Sequence, residues 1–154
     1  MSQKELAPMT VDYSLVCLLS GEKTSLGAVA KGKKTVIGFW TTVCPRCPRS
    51  LDVIEGFAAA QAYRPVEFMT VCCDDEVYGR HMVLQSFSVS NPEHRRVSHF
   101  FAPAPVKESL KSLFGFESVP YYVMLDEGGQ VIYSGPSLYV DVLHRLAESS
   151  VLAS

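Results

Sequence analysis

The segment TVIGFW, residues 35–40, leads almost directly into two cysteines three positions apart, Cys44 and Cys47. Its composition is β-branched, aromatic and apolar, which is typical of a strand buried on both faces. Beyond the cysteines, apolar residues recur at helical spacing from Leu51 to Ala62, which predicts a helix over 49–63 that ends before Pro65. The dithiol is therefore expected where a buried strand ends and a helix begins.

A second buried strand is predicted at VEFMTVCC, residues 66–73. Because a strand-helix-strand unit crosses over in the right-handed sense, its two strands are expected to be parallel. Gly115 is typical of a helix end and Gly128–Gly129 of a hairpin turn. The other predicted elements are a strand over 11–19, helices over 25–30, 77–87, 105–114 and 138–146, a turn at Asn91–Pro92, an extended segment over 98–101, and a hairpin of 121–125 with 131–133.

Length and composition restrict the class of protein. A chain of 154 residues is long enough to bury a core without metal ions or disulfides. With 47% hydrophobic residues, 19% charged residues and a formal net charge of -2, it has neither the basic surface of a nucleic-acid-binding protein nor the polarity of a disordered chain. No repeat or linker divides it, so we expect a single domain over 1–154.

The amino-terminal sequence and the cysteine count bear on location. Residues 1–23 lack the basic segment and long apolar run that export requires. No apolar run approaches the roughly 18–20 residues of a membrane span. Five cysteines, an odd number, favour catalysis or metal binding over a disulfide framework. We therefore expect a cytoplasmic monomer with no membrane or nucleic-acid partner.

The position of the dithiol suggests a different role for each thiol. Free backbone N–H groups and the positive potential at a helix amino terminus stabilise a Cys44 thiolate, which is the nucleophilic form. Cys47 lies one turn further in, where it can resolve a mixed disulfide formed by Cys44. The intervening Pro45 and Arg46 are expected to modulate this chemistry, Arg46 by adding a nearby positive charge. Pro48 is compatible only with the first turn of a helix, which places the helix start close to the motif.

Metal binding is the main alternative for the two cysteines. Tetrahedral zinc needs two further ligands, and Cys72 and Cys73 are poor candidates because adjacent strand residues point to opposite faces. We therefore predict no metal site. One of these two is expected to be a core residue, while Cys73 remains open as an auxiliary redox thiol. Cys17 is expected to be a buried, small apolar residue.

The histidines show no ligand spacing. Each is expected to be a surface or core residue, not a catalytic base; they are His81, His94, His99 and His144.

Two longer motifs carry a family resemblance. FWTTVCPRCP and LFGFESVPYYVMLDEGGQVIYSG, in this order, resemble the thioredoxin-like superfamily, and within it the TlpA, tryparedoxin and nucleoredoxin branch. The resemblance extends over about 33–149. It implies an α/β fold of the thioredoxin-like kind, a central mixed β-sheet flanked by helices, here with an amino-terminal extension.

The resemblance also implies a function and a set of site residues. A thiol-disulfide oxidoreductase would use Cys44 as nucleophile and Cys47 as resolving thiol, on protein or small-molecule disulfides, with an upstream reductant and no cofactor. Pro120 would be the cis-proline that presents the backbone of Val119 to an extended substrate segment. Trp40 matches the family's tryptophan, for which substrate contact and core packing both remain open.

Some residues depart from the family pattern. Val43 stands where an aromatic residue usually precedes the first cysteine, and Gly38 lies where thioredoxin carries a buried acid beneath the dithiol. Water or another group, with Glu67 as the candidate, would then have to take the proton of the resolving thiol.

Two other functions stay open at this point. TTVCP is similar to the Thr-x-x-Cys-Pro motif of peroxiredoxins, although Ile37 stands where those proteins carry an earlier proline. A thiol peroxidase is therefore one alternative. A binding or chaperone-like module with weak redox turnover is the other, because of the residues at positions 38 and 43.

Overall fold

A seven-stranded mixed sheet runs through the protein, in a computed structural model that describes residues 13–60, 63, 65–85 and 97–148. The strands are β1 (Ser14–Cys17), β2 (Lys23–Ser25), β3 (Thr35–Trp40), β4 (Glu67–Cys72), β5 (Val97–Phe101), β6 (Tyr121–Leu125) and β7 (Val131–Gly135). The helices are α1 (Leu26–Ala30), α2 (Cys47–Ala59), α3 (Glu76–Leu84), α4 (Ala104–Phe114) and α5 (Val140–Glu148). The strand order across the sheet is β2-β1-β5-β4-β3-β6-β7.

The parallel pairing of β3 with β4 determines where the functional elements meet. Thr35 lies opposite Glu67 at one end of the pair, and Trp40 lies opposite Cys72 at the other. β5 is parallel to β4, whereas β6 is antiparallel to β3. The segments that follow β3 and β4 therefore meet the segment that precedes β6 at the same end of these central strands. This pairing confirms the predicted strand-helix-strand unit.

Helix α2 begins at the second cysteine. Cys47 is its first residue, and Pro48 occupies the first turn, where its missing N–H costs no helical hydrogen bond. The helix ends at Ala59, four residues before the predicted end. Tyr63 packs edge-on against Phe57 and shares an apolar cluster with Val36 of β3, so the chain has already turned back towards the sheet at this point.

The amino-terminal extension adds an edge to the sheet. β1 is shorter than the strand predicted over 11–19, of which residues 11–12 lie outside the described part, and β2 was not predicted. β1 pairs with β2 and, on its other side, with β5, both antiparallel. Ser25 caps the short helix α1 by accepting a hydrogen bond from the backbone N–H of Ala28, at 3.1 Å.

The remaining elements lie close to their predicted positions. α3 corresponds to the helix predicted over 77–87, and β5 to the extended segment predicted over 98–101. The predicted turn at Asn91–Pro92 lies outside the described residues. Gly115 ends α4 with a left-handed φ of 73°, which a glycine adopts without strain. The hairpin of β6 and β7 is present, and α5 begins at Val140, two residues after the predicted start.

The core lies on both faces of the sheet. One apolar cluster joins β3 to α1 and α4, a second joins it to α2 and α5, and a third closes the dithiol end beneath α2 and α3. The third contains Trp40, Cys47, Leu51, Cys72 and Val83. None of the described helices combines the length and the apolar character needed to cross a membrane.

Candidate active site

Cys44 and Cys47 differ in exposure. Cys44 lies in the loop between β3 and α2 and is partly exposed, whereas Cys47, at the start of α2, is fully buried. The backbone N–H of Cys47 donates to the Cys44 carbonyl oxygen at 3.2 Å, which closes the loop into a turn. Burial, and then a hydrogen bond between the two thiols, raises the pKa of Cys47. Cys47 is therefore a protonated, inaccessible thiol behind an accessible one.

The segment before β6 forms the opposite wall of the dithiol. The Val119–Pro120 peptide bond is cis, and the Cys44 Sγ lies 3.8 Å from the Val119 carbonyl oxygen. The structure thus brings Cys44 close to Val119 and Pro120, two of the residues that the resemblance assigns to substrate binding. Pro45 and Arg46 are exposed in the turn, and Arg46 immediately precedes the first residue of α2.

A carboxylate fixes the loop that carries the first cysteine. Asp74, just beyond β4, accepts hydrogen bonds from the backbone N–H of Thr42 at 2.9 and 3.1 Å and from its hydroxyl at 2.8 Å. The Cys72 thiol donates to the same carboxylate at 3.3 Å. Sequence reasoning missed Asp74. Its place just after a strand parallel to β3 puts it at the end of the strands where the dithiol lies.

Trp40 packs in the core beneath the dithiol. Only 1% of it is exposed, and it belongs to the same apolar cluster as Cys47. Its indole N–H donates to the Thr70 hydroxyl oxygen at 3.1 Å. Of the two roles left open for Trp40, core packing fits this environment and substrate contact does not, because the buried indole supports the dithiol from below and offers no surface to a substrate.

The Thr70 hydroxyl begins a chain of buried hydrogen bonds. Its oxygen lies 2.7 Å from His99 Nδ1, and His99 Nε2 lies 3.2 Å from Glu55 Oε2. Since an indole N–H can only donate, one assignment satisfies every group: Trp40 to Thr70, Thr70 to Nδ1, and Nε2–H to the carboxylate. The chain links β3, β4, β5 and α2 below the dithiol.

Sequence reasoning placed His99 as a surface or core residue but did not find its partners. The available indication was Glu55, which falls on the apolar stripe of Leu51, Ile54 and Ala58 at helical spacing. A carboxylate at a core position needs a buried polar partner. Only the sheet register, which is not evident from sequence, identifies that partner on β5.

The position of Gly38 is filled by neighbouring side chains. A Cβ atom at Gly38 would overlap the Ile54 Cδ1 atom and would lie 3.6 Å from the Tyr122 ring. An acid at this position would have to displace the Ile54 side chain. The prediction that Glu67 could take the proton of the resolving thiol was wrong. Glu67 pairs with Thr35 at the opposite end of β3 and forms an ion pair with Lys33 at 3.8 Å.

We expect Gly38→Ala to lower the free energy of unfolding by about 1–3 kcal/mol, because the added methyl group overpacks the contact with Ile54. Urea unfolding measures the loss. The background variant Ile54→Val removes the Cδ1 atom, so the loss caused by Gly38→Ala should shrink there. An equal loss in both backgrounds would contradict the proposed contact.

The other cysteines differ from the dithiol. Burial raises the pKa of Cys72 and that of Cys73 to about 12 in each case, so both thiols are protonated at neutral pH. Cys17 is half-buried, not fully buried as expected. Within the described residues, no group of three histidine, cysteine or acidic side chains is arranged to hold a metal ion.

Comparison with known proteins identifies the fold. The sequence matches the Redoxin family over residues 4–137, and no curated protein sequence matches it significantly. A secreted Mycobacterium tuberculosis disulfide oxidoreductase homologous to E. coli DsbE is 19% identical, with a TM-score of 0.62 over 87% of this chain and 92% of that one.

Two further solved structures are similar. The exposed lipoprotein thioredoxin Etrx1 of Streptococcus pneumoniae is 22% identical, with a TM-score of 0.63 over 90% of this chain and 100% of that one. A thioredoxin-like protein of Aeropyrum pernix is 18% identical, with a TM-score of 0.66 over 93% and 92%. The predicted thioredoxin-like fold is confirmed.

Proposed function

Since this chain belongs to the Redoxin family, we propose that it is a thiol-disulfide oxidoreductase in which Cys44 attacks and Cys47 resolves. One observation carries this proposal. A partly exposed Cys44 stands in front of a fully buried Cys47, in a turn closed by the hydrogen bond from the Cys47 N–H to the Cys44 carbonyl oxygen. A client disulfide can reach the first sulfur but not the second, so the order of the two steps is imposed by access.

The exchange takes place in two substitutions at sulfur. The Cys44 thiolate attacks one sulfur of the client disulfide, and the other client sulfur leaves as a thiolate and takes up a proton. Cys47 then loses its proton and attacks the Cys44 sulfur, which breaks the mixed disulfide and releases the second client thiol. The protein is left with a Cys44–Cys47 disulfide, and an upstream dithiol reductant restores both thiols by the reverse exchange.

The backbone next to Cys44 supports an extended client segment. The Val119 carbonyl oxygen faces the Cys44 sulfur, and Pro120 holds the chain there before β6 begins. A client strand running past this segment would bring its disulfide to Cys44 through main-chain hydrogen bonds. Val43, 82% exposed beside Cys44, would add an apolar contact on the opposite side. We propose Val119 and Pro120 as the substrate-binding residues, with Pro45 and Arg46 modulating the dithiol.

Partners and location follow from the same chemistry. We propose that the protein exchanges disulfides as tryparedoxins do, with protein or small-molecule disulfides as clients. We further propose that it is a monomer and works in the reducing cytoplasm. The odd number of cysteines supports the location. The similar proteins of M. tuberculosis and S. pneumoniae are secreted and exposed, respectively, so cell fractionation is the deciding measurement.

Reduction of insulin disulfides by the wild-type protein, with dithiothreitol as terminal reductant, tests the function. We expect turbidity from the precipitating insulin chain well ahead of dithiothreitol alone. Hydrogen peroxide in place of insulin tests the peroxidase alternative. Peroxide consumption without insulin reduction would replace the proposed function by that alternative, and inactivity in both assays would favour a binding module.

A further inference from the structure

A pair of hydroxyl groups, from the half-buried Ser50 and the buried Tyr122, lies on the face of α2 that carries the resolving cysteine. Ser50 follows Cys47 by three residues on α2, so the two side chains occupy the same face one turn apart. The Ser50 hydroxyl is hydrogen-bonded to the phenolic hydroxyl of Tyr122 on β6. Tyr122 lies opposite Gly38 in the sheet, and its ring is 3.6 Å from the position that a Cβ atom at Gly38 would occupy.

Cys47 needs such a group because of its environment. It is fully buried, and its proton must leave before its sulfur can attack the mixed disulfide at Cys44. A thiolate formed in an apolar setting is costly unless a hydrogen-bond donor stabilises it. The other buried members of the cluster that contains Cys47 are Leu18, Trp40, Leu51, Cys72 and Val83, and the indole N–H of Trp40 already donates to Thr70. Burial raises the pKa of Cys47 by more than a backbone hydrogen bond with Thr41 lowers it, so a further donor is needed.

The phenol is electrostatically linked to the dithiol. Burial, and then negative charge on Cys47 and on Cys44, raises the pKa of Tyr122, while the hydrogen bond with Ser50 acts in the opposite direction. The phenol is therefore protonated at neutral pH and acts as a donor. Because such an interaction is reciprocal, a thiolate at Cys47 costs less beside a neutral phenol than beside a phenolate.

We propose that the Ser50–Tyr122 hydroxyl pair positions and stabilises the Cys47 thiolate during resolution of the mixed disulfide. This inference rests on the proposed function. Tyr122 fixes the Ser50 hydroxyl on the face of α2 that carries Cys47, and together they offer protons to the developing charge. The proton that Cys47 loses passes to the departing client thiolate, so the pair lends hydrogen bonds and is itself unchanged. Both are positioning residues, since neither forms a bond to the client.

Single-turnover reaction with dithiobis(nitrobenzoate) separates the two steps. Attack by Cys44 on this aromatic disulfide releases one coloured thiolate, and resolution by Cys47 releases the second. In Tyr122→Phe we expect the first release at the wild-type rate and the second slowed about tenfold, in line with loss of a hydrogen bond to a charged group. The pH profile of the second release should move upwards by about one unit.

Two further variants complete the test. Ser50→Ala is expected to slow the second release selectively as well, whereas Tyr133→Phe, which removes a hydroxyl bonded to the Ser137 carbonyl away from the dithiol, should change neither phase. A second release at the wild-type rate in Tyr122→Phe would overturn the inference. Equal slowing of both phases would also overturn it, because that is the mark of a general structural defect.

The same experiment separates this inference from the function beneath it. If wild-type protein gives no second release, or if Cys47→Ser leaves the second release unchanged, then Cys47 does not resolve and the proposed function itself fails. If the two phases behave as proposed in wild type and in Cys47→Ser but Tyr122→Phe has no effect, only the role of the hydroxyl pair is lost.

Discussion

Replacement of Cys44 by serine is expected to lower disulfide reduction by at least about a thousandfold, to the level of the reductant alone. A serine hydroxyl keeps the size and the hydrogen-bonding capacity of the thiol, but it is not ionised at neutral pH and is a poor nucleophile towards sulfur. Cys47 cannot take over, because it is fully buried and its pKa is raised. The insulin assay, with initial rates compared at equal protein concentration, measures the loss.

Cys17→Ser is the matched control for this experiment. Cys17 is half-buried at the end of β1, away from the loop that carries Cys44, so its replacement should leave the rate within about twofold of wild type. Substantial activity in Cys44→Ser would contradict the assignment of the nucleophile. The same activity loss in Cys17→Ser would show that the assay reports general damage by cysteine replacement.

Replacement of His99 by leucine is expected to lower the free energy of unfolding by about 3–5 kcal/mol. The variant removes the imidazole that contacts the Glu55 carboxylate and the Thr70 hydroxyl, and it leaves both groups in the core without that partner. Loss of one member of a buried polar pair costs far more than loss of a surface pair, because water cannot replace it. Urea denaturation followed by circular dichroism gives the value.

Two further variants identify the cause of this loss. Lys33→Ala breaks the ion pair with Glu67, where the lysine side chain is 53% exposed, and should cost at most about 1 kcal/mol. The double variant Glu55→Leu/His99→Leu removes both members of the buried pair and should be more stable than the sum of the two single losses predicts. Additive losses would contradict a direct interaction between Glu55 and His99.

The position of the dithiol could be predicted because local sequence determines it. β3 has the predicted bounds, since six consecutive residues suited to a buried strand leave no other local choice. The start of α2 at Cys47 follows from Pro48, which fits only the first turn. The Val-Pro segment before β6 was placed by resemblance, and the antiparallel pairing of β3 with β6 explains why it faces Cys44.

The supporting polar groups could not be predicted because they depend on register. Glu67 was placed near the dithiol from its type and neighbourhood, but parallel pairing puts it at the far end of β3. His99 and Glu55 are 44 residues apart and meet only because β5 lies beneath α2. Ser50 and Tyr122 are 72 residues apart and meet because β6 pairs with β3, which α2 follows in the chain. Composition and periodicity contain no information on such long-range pairs.

Three sets of polar contacts surround the dithiol in the described part of the chain. Asp74 holds the loop before Cys44, the Trp40–Thr70–His99–Glu55 chain supports the sheet below it, and the Ser50–Tyr122 pair lies beside Cys47. Hydrogen bonds fix side chains in single orientations, and substitution at sulfur requires such order because the attacking, central and leaving sulfur atoms must lie in line. The structure therefore combines an accessible Cys44 thiol with a rigid support.

Capture of the mixed disulfide tests the central claim most directly. Cys47→Ser protein incubated with insulin should accumulate a covalent complex, because Cys44 can attack but no buried thiol is present to resolve the product. Mass spectrometry of the non-reduced, digested complex should find the insulin cysteine joined to the peptide that contains Cys44. A complex joined through Cys17, Cys72 or Cys73, or no complex while wild-type protein reduces insulin, would contradict the account.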